Sequence, residues 1–316
     1  MRQKMIILVA SVISVCLIIF MVSVERKTNH TPQTKENTIL NKYSNSIPKI
    51  IHQVYFIGRP HNESDLPKGL KNAMNTFKYN NPHYVHRYFD DGNAMKFLVD
   101  HFGADSDEVY AFRNLRPRAF KSDFLRCAIL WIHGGFYVDS DMLLLSPFEK
   151  WIQKNATFVI PVEMDKPFGF SNGLIGSIPR HPMLRIAMDM IIYNVKNKYY
   201  PDVPRQLEQK NSFLSVLAVS GPVLMGKVYN RFMGEADEVP HNLNLASTKG
   251  IQILGFCKIP PKDEDEWYTT VPFPEKSSVC MGEKVIQTRY PGFRSEQAST
   301  GEEHYSTLYD QRKVFI

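Results

Sequence analysis

The segment Pro117 to Leu145 constrains the fold more than any other part of the chain. It begins at a proline, runs through RAFKSDFLRCAILWIH with apolar residues at helical spacing, meets Gly134-Gly135, and continues as FYVDSDMLLL. Proline suits the first turn of a helix and a glycine pair ends one, so the pattern predicts a helix opened at Pro117, then a strand over Phe136 to Leu145. A helix feeding straight into an apolar strand is a joint of an α/β sheet. The polar pair Asp139 and Asp141 interrupts that strand.

Side chains at i and i+2 of a strand share a face, which sets the two carboxylates side by side. Unpaired carboxylates in an apolar strand are costly, so a ligand or a cation is expected to compensate them. A hard divalent ion, Mn²⁺ or Mg²⁺, accepts one or two carboxylates and completes its shell with water and phosphate oxygens. Asp139 and Asp141 could therefore hold a nucleoside diphosphate. An isolated Asp-x-Asp is more often a surface turn, and only the apolar surroundings set this one apart. Gly135 lets the backbone approach a bulky group, besides helping to end the helix. Asp123 and Arg126 lie on one face of the helix, among Phe120, Phe124 and Trp131. They either pair with each other or turn to the carboxy-terminal end of the strand, where ligands sit in open α/β sheets.

The flanks fit one sheet. Pro48 to Ile57 reads as a buried first strand, Leu70 to Tyr79 as a helix, Tyr84 to Phe89 as a strand, and Asn93 to Phe102 and Asp107 to Phe112 as helices. Phe158 to Val162 and Leu174 to Gly176 read as short strands, and Pro182 to Val195 as a helix. Phe213 to Phe232 reads as two helical pieces broken at Gly221-Pro222. Ile251 to Cys257 and Lys284 to Tyr290 are candidate closing strands, with Pro260 to Pro274 as a loop. No internal repeat is visible.

Met5 to Val24 is an apolar run of bilayer-spanning length with basic residues on both sides, and nothing after Val22 resembles a cleavage site. The reading is a signal-anchor over 5–24, a short cytoplasmic tail over 1–4, a polar stem over 25–46 and one folded domain over 47–316. Basic residues are nearly balanced across the span, so charge alone hardly sets its direction. Sequons at Asn29, Asn62 and Asn155 favour a lumenal body. Cys127 reads as a buried free thiol, whereas Cys257 and Cys280 are the two that an oxidising lumen could join. The net charge of +6 comes without a run of five like charges, which speaks against a nucleic-acid partner.

The stretch RAFKSDFLRCAILWIHGGFYVDSDM, together with IPKIIHQVYF, resembles the sugar-binding region of glycosyltransferase family 32, a likeness covering roughly Ile47 to Arg185. That family includes the yeast initiating α-1,6-mannosyltransferase and the inositol phosphorylceramide mannosyltransferases. The resemblance implies a GT-A, Rossmann-like nucleotide-sugar-binding domain, Mn²⁺ or Mg²⁺, and retention of anomeric configuration. It implies that Asp139 and Asp141 hold the metal and diphosphate. Asp123, Arg126 and Asn172 would face the donor sugar, although Asn172 also reads as a turn residue before Gly173. Ile51, His52 and Gln53 would lie beside the nucleotide. It further implies a nucleotide-sugar donor, GDP-mannose first with UDP-sugars as alternatives, a glycan or glycolipid acceptor, and a single-pass type II place in the Golgi membrane.

The likeness fades after Gly221-Pro222. Family members commonly end with His followed by Ser-Trp, where this chain offers Glu302-Glu303-His304-Tyr305-Ser306, so His304 is either a further metal contact or an exposed tail histidine. Two rival readings remain. Phosphatases of the haloacid dehalogenase type also place Asp-x-Asp after an apolar strand, but here the expected Thr or Val is missing and the motif comes late in the domain. A glycan-binding or scaffold domain that kept the fold without turnover is the non-enzymatic alternative.

Overall fold

The computed structural model describes residues 46–162, 169–201, 214–258, 267–271, 283–298 and 303–316. The predicted tail, membrane span and most of the stem, with the Asn29 sequon, lie outside these residues. No helix among the described residues is long and apolar enough to cross a membrane. Cys280 lies outside as well, as does the side chain of Cys257, while Cys127 is a buried free thiol. Asn62 and Asn155 are both exposed.

The core is a mixed sheet of nine strands in the order β2-β1-β3-β6-β5-β7-β8-β9-β4. Strands β1 (Ile50–Val54), β2 (Val85–Phe89) and β3 (Gly135–Val138) run parallel. Then β6 (Leu174–Ser177) pairs antiparallel with both β3 and β5 (Phe158–Pro161). Next β7 (Ile251–Lys258) pairs with β5 through its first half and with β8 (Trp267–Val271) through its second. Finally β9 (Glu283–Gln287) joins β8 to the two-residue β4 (Leu143–Leu144).

Alternation along β3 shows why the sheet is buried on both faces. Tyr137 points into a cluster with Phe124, Ala128 and Leu184, whereas Phe136 and Val138 point into another with Phe77, Phe148 and Leu254. The first cluster is roofed by α4 (Arg118–His133), α6 (Pro182–Lys196) and α8 (Pro222–Met233). The second is covered by α1 (Lys68–Asn80) and α5 (Phe148–Trp151). Beside α4 sit α2 (Asp91–Phe102) and α3 (Asp107–Asn114).

Gly134 and Gly135 adopt φ of +62° and +95°, so the helix stops and the chain re-enters the sheet within two residues. A Cβ on Gly135 would lie 2.6 Å from the Ile50 carbonyl, so here the strand pairing itself demands glycine.

Two readings from sequence are corrected. The run Phe136 to Leu145 is two strands, β3 and β4, separated by a turn in which the Met142 amide donates to the Asp139 carbonyl at 3.2 Å. Asp139 and Asp141 therefore do not owe their proximity to strand alternation. The stretch Pro260 to Pro274 is not all loop, since it contains β8. Three short helices, α5, α9 (Phe293–Ala298) and α10 (Tyr305–Asp310), were not foreseen, and the first helical piece read over Phe213 to Phe232 is the short α7 (Leu214–Leu217).

Candidate active site

The turn after β3 opens into a cleft of about 530 Å³. Asp139, Ser140 and Asp141 line it, with Arg126 from α4, Tyr137 from β3, and Arg289, Arg294 and His304 from the carboxy-terminal part of the chain. Three backbone anchors fix the turn: the Asp139 amide donates to the Gly173 carbonyl at 2.8 Å, the Ser140 hydroxyl to the Val54 carbonyl at 3.0 Å, and the Tyr290 amide to the Asp141 carbonyl at 2.9 Å. The two carboxylates thus hang from a loop tied to three separate strands or strand ends.

Behind Asp139 lies a buried polar chain. Arg126 Nη2 sits 2.8 Å from Asp123 Oδ1 and 3.5 Å from Asp139 Oδ1. Its Nη1 donates to the Asn172 carbonyl, and the guanidinium carbon lies 4.4 Å from the centre of the Tyr137 ring. The Tyr137 hydroxyl donates to Asp139 Oδ1 at 2.7 Å. Asp123 is held from the far side by Asn172 Nδ2 at 2.9 Å and by the Ser220 hydroxyl at 2.8 Å. The helical pair therefore does both things the sequence allowed: Asp123 and Arg126 pair, and the arginine still reaches the cleft.

The charges are unequally settled. Burial raises the Asp123 carboxyl to about 6, although Arg126, Ser220 and Asn172 favour its anion. Burial also works against the Arg126 charge, but Tyr137, Asp139 and Asp123 outweigh it and keep the guanidinium firmly protonated. Asp141 is raised to about 7, first by burial and next by the neighbouring Asp139 charge, with Arg289 opposing. Two carboxylates in mutual repulsion at the wall of a cleft form a donor set that a hard divalent cation would relieve.

Several anticipated residues sit elsewhere. Ile51, His52 and Gln53 are fully buried in the sheet and do not line the cleft. Pairing of β1 with strands on both sides encloses them, His52 Nε2 contacts the Gly134 carbonyl at 2.9 Å, and Gln53 Oε1 contacts His86 at 2.6 Å. The residues that follow them, Val54, Tyr55 and Phe56, reach the cleft instead. Gly135 answers to Ile50, as described above. Asn172 stands behind the cleft, bracing Asp123 and Arg126. His304 lines the cleft, yet among the described residues no three His, Cys, Asp or Glu side chains converge into an ion site. Its Nδ1 meets the Ser306 hydroxyl at 2.6 Å and caps α10.

Sequence reasoning missed Tyr137, Gly173 and Ser220. A Cβ at Gly173 would stand 2.6 Å from Asp139 Oδ2 and 2.6 Å from the Met142 methyl, so this glycine clears the space the carboxylate occupies. A glycine preceded by Ser171-Asn172 and followed by an apolar strand was the available signal. Ser220 carried none, because its partner lies almost a hundred residues earlier.

Residues 67–158 match the family model described as a glycosyltransferase sugar-binding region containing DXD motif. The matched stretch covers less than a third of the chain. It contains Asp123, Arg126, Asp139 and Asp141, and stops short of Asn172, Ser220 and His304. An uncharacterized glycosyltransferase of Acanthamoeba polyphaga mimivirus is 31% identical over 137 residues, covering 43% of this chain and 52% of the relative. The mannosyl phosphorylinositol ceramide synthase SUR1 of Saccharomyces cerevisiae is 24% identical over 186 residues, covering 59% and 42%. The initiation-specific alpha-1,6-mannosyltransferase of the same yeast is 25% identical over 128 residues, covering 40% and 26%. The chain spans about half the length, or less, of these relatives. Among solved structures, the PaToxG glycosyltransferase is 20% identical with a TM-score of 0.41, covering 64% of this chain and 75% of that one.

Proposed function

We propose that the protein is a metal-dependent, retaining glycosyltransferase of GT-A type, moving a hexose from a nucleotide sugar to a glycan or glycolipid acceptor. GDP-mannose is the first donor to test, because two of the similar proteins are named for mannose transfer; UDP-galactose, UDP-glucose and UDP-N-acetylglucosamine follow. The observation that carries the reading is the DXD pair, Asp139 and Asp141, lining a cleft with a buried arginine directly behind it.

Asp139 and Asp141 are the residues that would hold Mn²⁺ or Mg²⁺, and the ion would offset charge growing on the departing diphosphate. Arg126, fixed by Asp123, Asn172 and Tyr137, adds a positive charge whose place does not change during the reaction. The bond from the anomeric carbon to the diphosphate oxygen breaks, the acceptor oxygen bonds to the same face, and the acceptor's proton passes to the leaving phosphate. Arg289, opposite Asp141, suits the second half of the diphosphate. The 5–24 apolar run and the exposed Asn62 and Asn155 sequons support a type II protein with a lumenal domain, placed in the Golgi.

The test is donor turnover over GDP- and UDP-sugars with and without Mn²⁺, beside Asp141→Asn. Metal-dependent turnover of one donor, lost in the variant, supports the reading. A folded protein that neither binds nor hydrolyses any of them refutes it and leaves the glycan-binding scaffold in its place.

A further inference from the structure

A second cleft, of about 340 Å³, lies where α6 and α8 meet, and it shares no lining residue with the first. Its volume falls within the roughly 300–1,000 Å³ of small-molecule sites. Tyr193 and Tyr199 stand in its wall, 58% and 45% exposed, although most large aromatic side chains of this domain are buried. Their ring centres are 6.0 Å apart with planes at 73°, forming an open corner, not a closed stack. Two aromatic faces left in water at the mouth of a concavity are a recognised mark of a binding surface.

The polar groups define what would fit. Asp189 is held by Arg185 at 2.5 Å, Asp237 takes a two-pronged bond from Arg231 at 2.7 Å, and Glu238 faces Lys227 at 3.4 Å. Asp237 and Glu238 are matched by Arg231 and Lys227 of the same wall, and Asp189 shares Arg185 with Glu108, so the cleft offers many donors and acceptors with at most one unmatched negative charge. A phosphate would gain nothing there from long-range attraction, and each carboxylate that could hold a metal ion is already engaged by a cation. A neutral molecule bearing several hydroxyls, with one apolar face to lay on a tyrosine, meets every feature.

We infer that the α6–α8 cleft is a second saccharide-binding site, for neutral sugar residues of a glycan chain. Within the proposed transferase, on which only this role rests, it holds a distant part of the acceptor while the cleft at Asp139 acts on the reacting end. Two linked sites raise the effective concentration of the second contact, so longer glycans gain most.

The experiment is titration calorimetry of the full chain with mannose, galactose, glucose and N-acetylglucosamine oligomers of increasing length. It compares the wild type and Tyr193→Ala/Tyr199→Ala, both with the first cleft saturated by nucleoside diphosphate and Mn²⁺, with Asp141→Asn measured without them. The expected result is binding that strengthens with length, survives in Asp141→Asn, and weakens by about tenfold or more in the tyrosine variant, which is about 1.4 kcal/mol. Donor hydrolysis and melting temperature of the tyrosine variant should match the wild type, since both rings are exposed. Equal binding by the tyrosine variant, or no binding of any neutral oligomer to the wild type, overturns the inference. Loss of donor turnover in the wild type would instead sink the transferase reading and leave glycan binding standing.

Discussion

Replacing Gly173 by alanine should separate catalysis from stability. The backbone there is not in the left-handed region, so the added methyl acts purely through space. It would arrive 2.6 Å from both Asp139 Oδ2 and the Met142 methyl, and ordinary contact begins near 3.4 Å. The carboxylate must therefore move by roughly 0.8 Å or turn about χ1, and either motion pulls it from Tyr137 and Arg126. Overfilling of this kind costs about 1–3 kcal/mol, read as about 2–4 °C in Tm per kcal/mol for a domain of this size. A misplacement near 1 Å of a reacting group costs about 10²-fold in rate, so kcat should fall by that order while the protein stays folded. Donor turnover measured beside a thermal melt reads both quantities. A variant that keeps activity within about threefold would show that Asp139 has freedom that this packing denies it, and the role given to Gly173 would fall.

Ser220→Ala removes a hydrogen bond to a buried carboxylate, a loss of about 1.5–3 kcal/mol; activity should drop at least about tenfold and return in Ser220→Thr, as steady-state kinetics would show. Mn²⁺ at about a hundred times its Kd should stabilise the wild type by about 2.7 kcal/mol in urea melts and leave Asp139→Asn/Asp141→Asn unmoved; equal shifts would place the ion elsewhere. Acid should weaken the fold through His52 and His181, both lowered to about 3 by burial. Their folded values lie below the unfolded 6.5, so stability is complete above about pH 6.5 and declines as pH falls towards 3. At pH 5 each accounts for about 2 kcal/mol; the raised Asp123 and Asp141 carboxyls act in the opposite sense between pH 8 and pH 5, so the check is imidazole NMR, and a His52 or His181 ring protonated in the folded protein at pH 5 would contradict this burial.

The helix, glycine pair and strand around Pro117–Val138 were legible because proline, periodicity and glycine all act locally. The DXD pair was legible for a partly mistaken reason. Apolar residues on both sides of Asp139 and Asp141 suggested one long strand, yet β3 ends at Val138 because the next residues are tied to Gly173, Val54 and Tyr290, and only tertiary contacts could reveal that. β8 hid in an acidic, proline-bearing stretch, since a strand of five residues leaves hardly any periodic signal. Ile51, His52 and Gln53 show the limit of reading depth from sequence: sheet pairing buries them, and the strand's last residue with its successors lines the cleft. Tyr137 looked like one more apolar strand residue, and its hydroxyl matters only because Asp139 turns back towards it.

The cleft is closed by the Tyr290 amide on Asp141 and by walls from Arg289, Arg294 and His304, all made well over a hundred residues after the DXD segment. A ribosome-bound chain with the DXD segment already extruded would still lack the strand that holds its second carboxylate in place. The wall around Asp141 should therefore be completed only once residues 289–304 have been made, and until then the two carboxylates share no formed cleft.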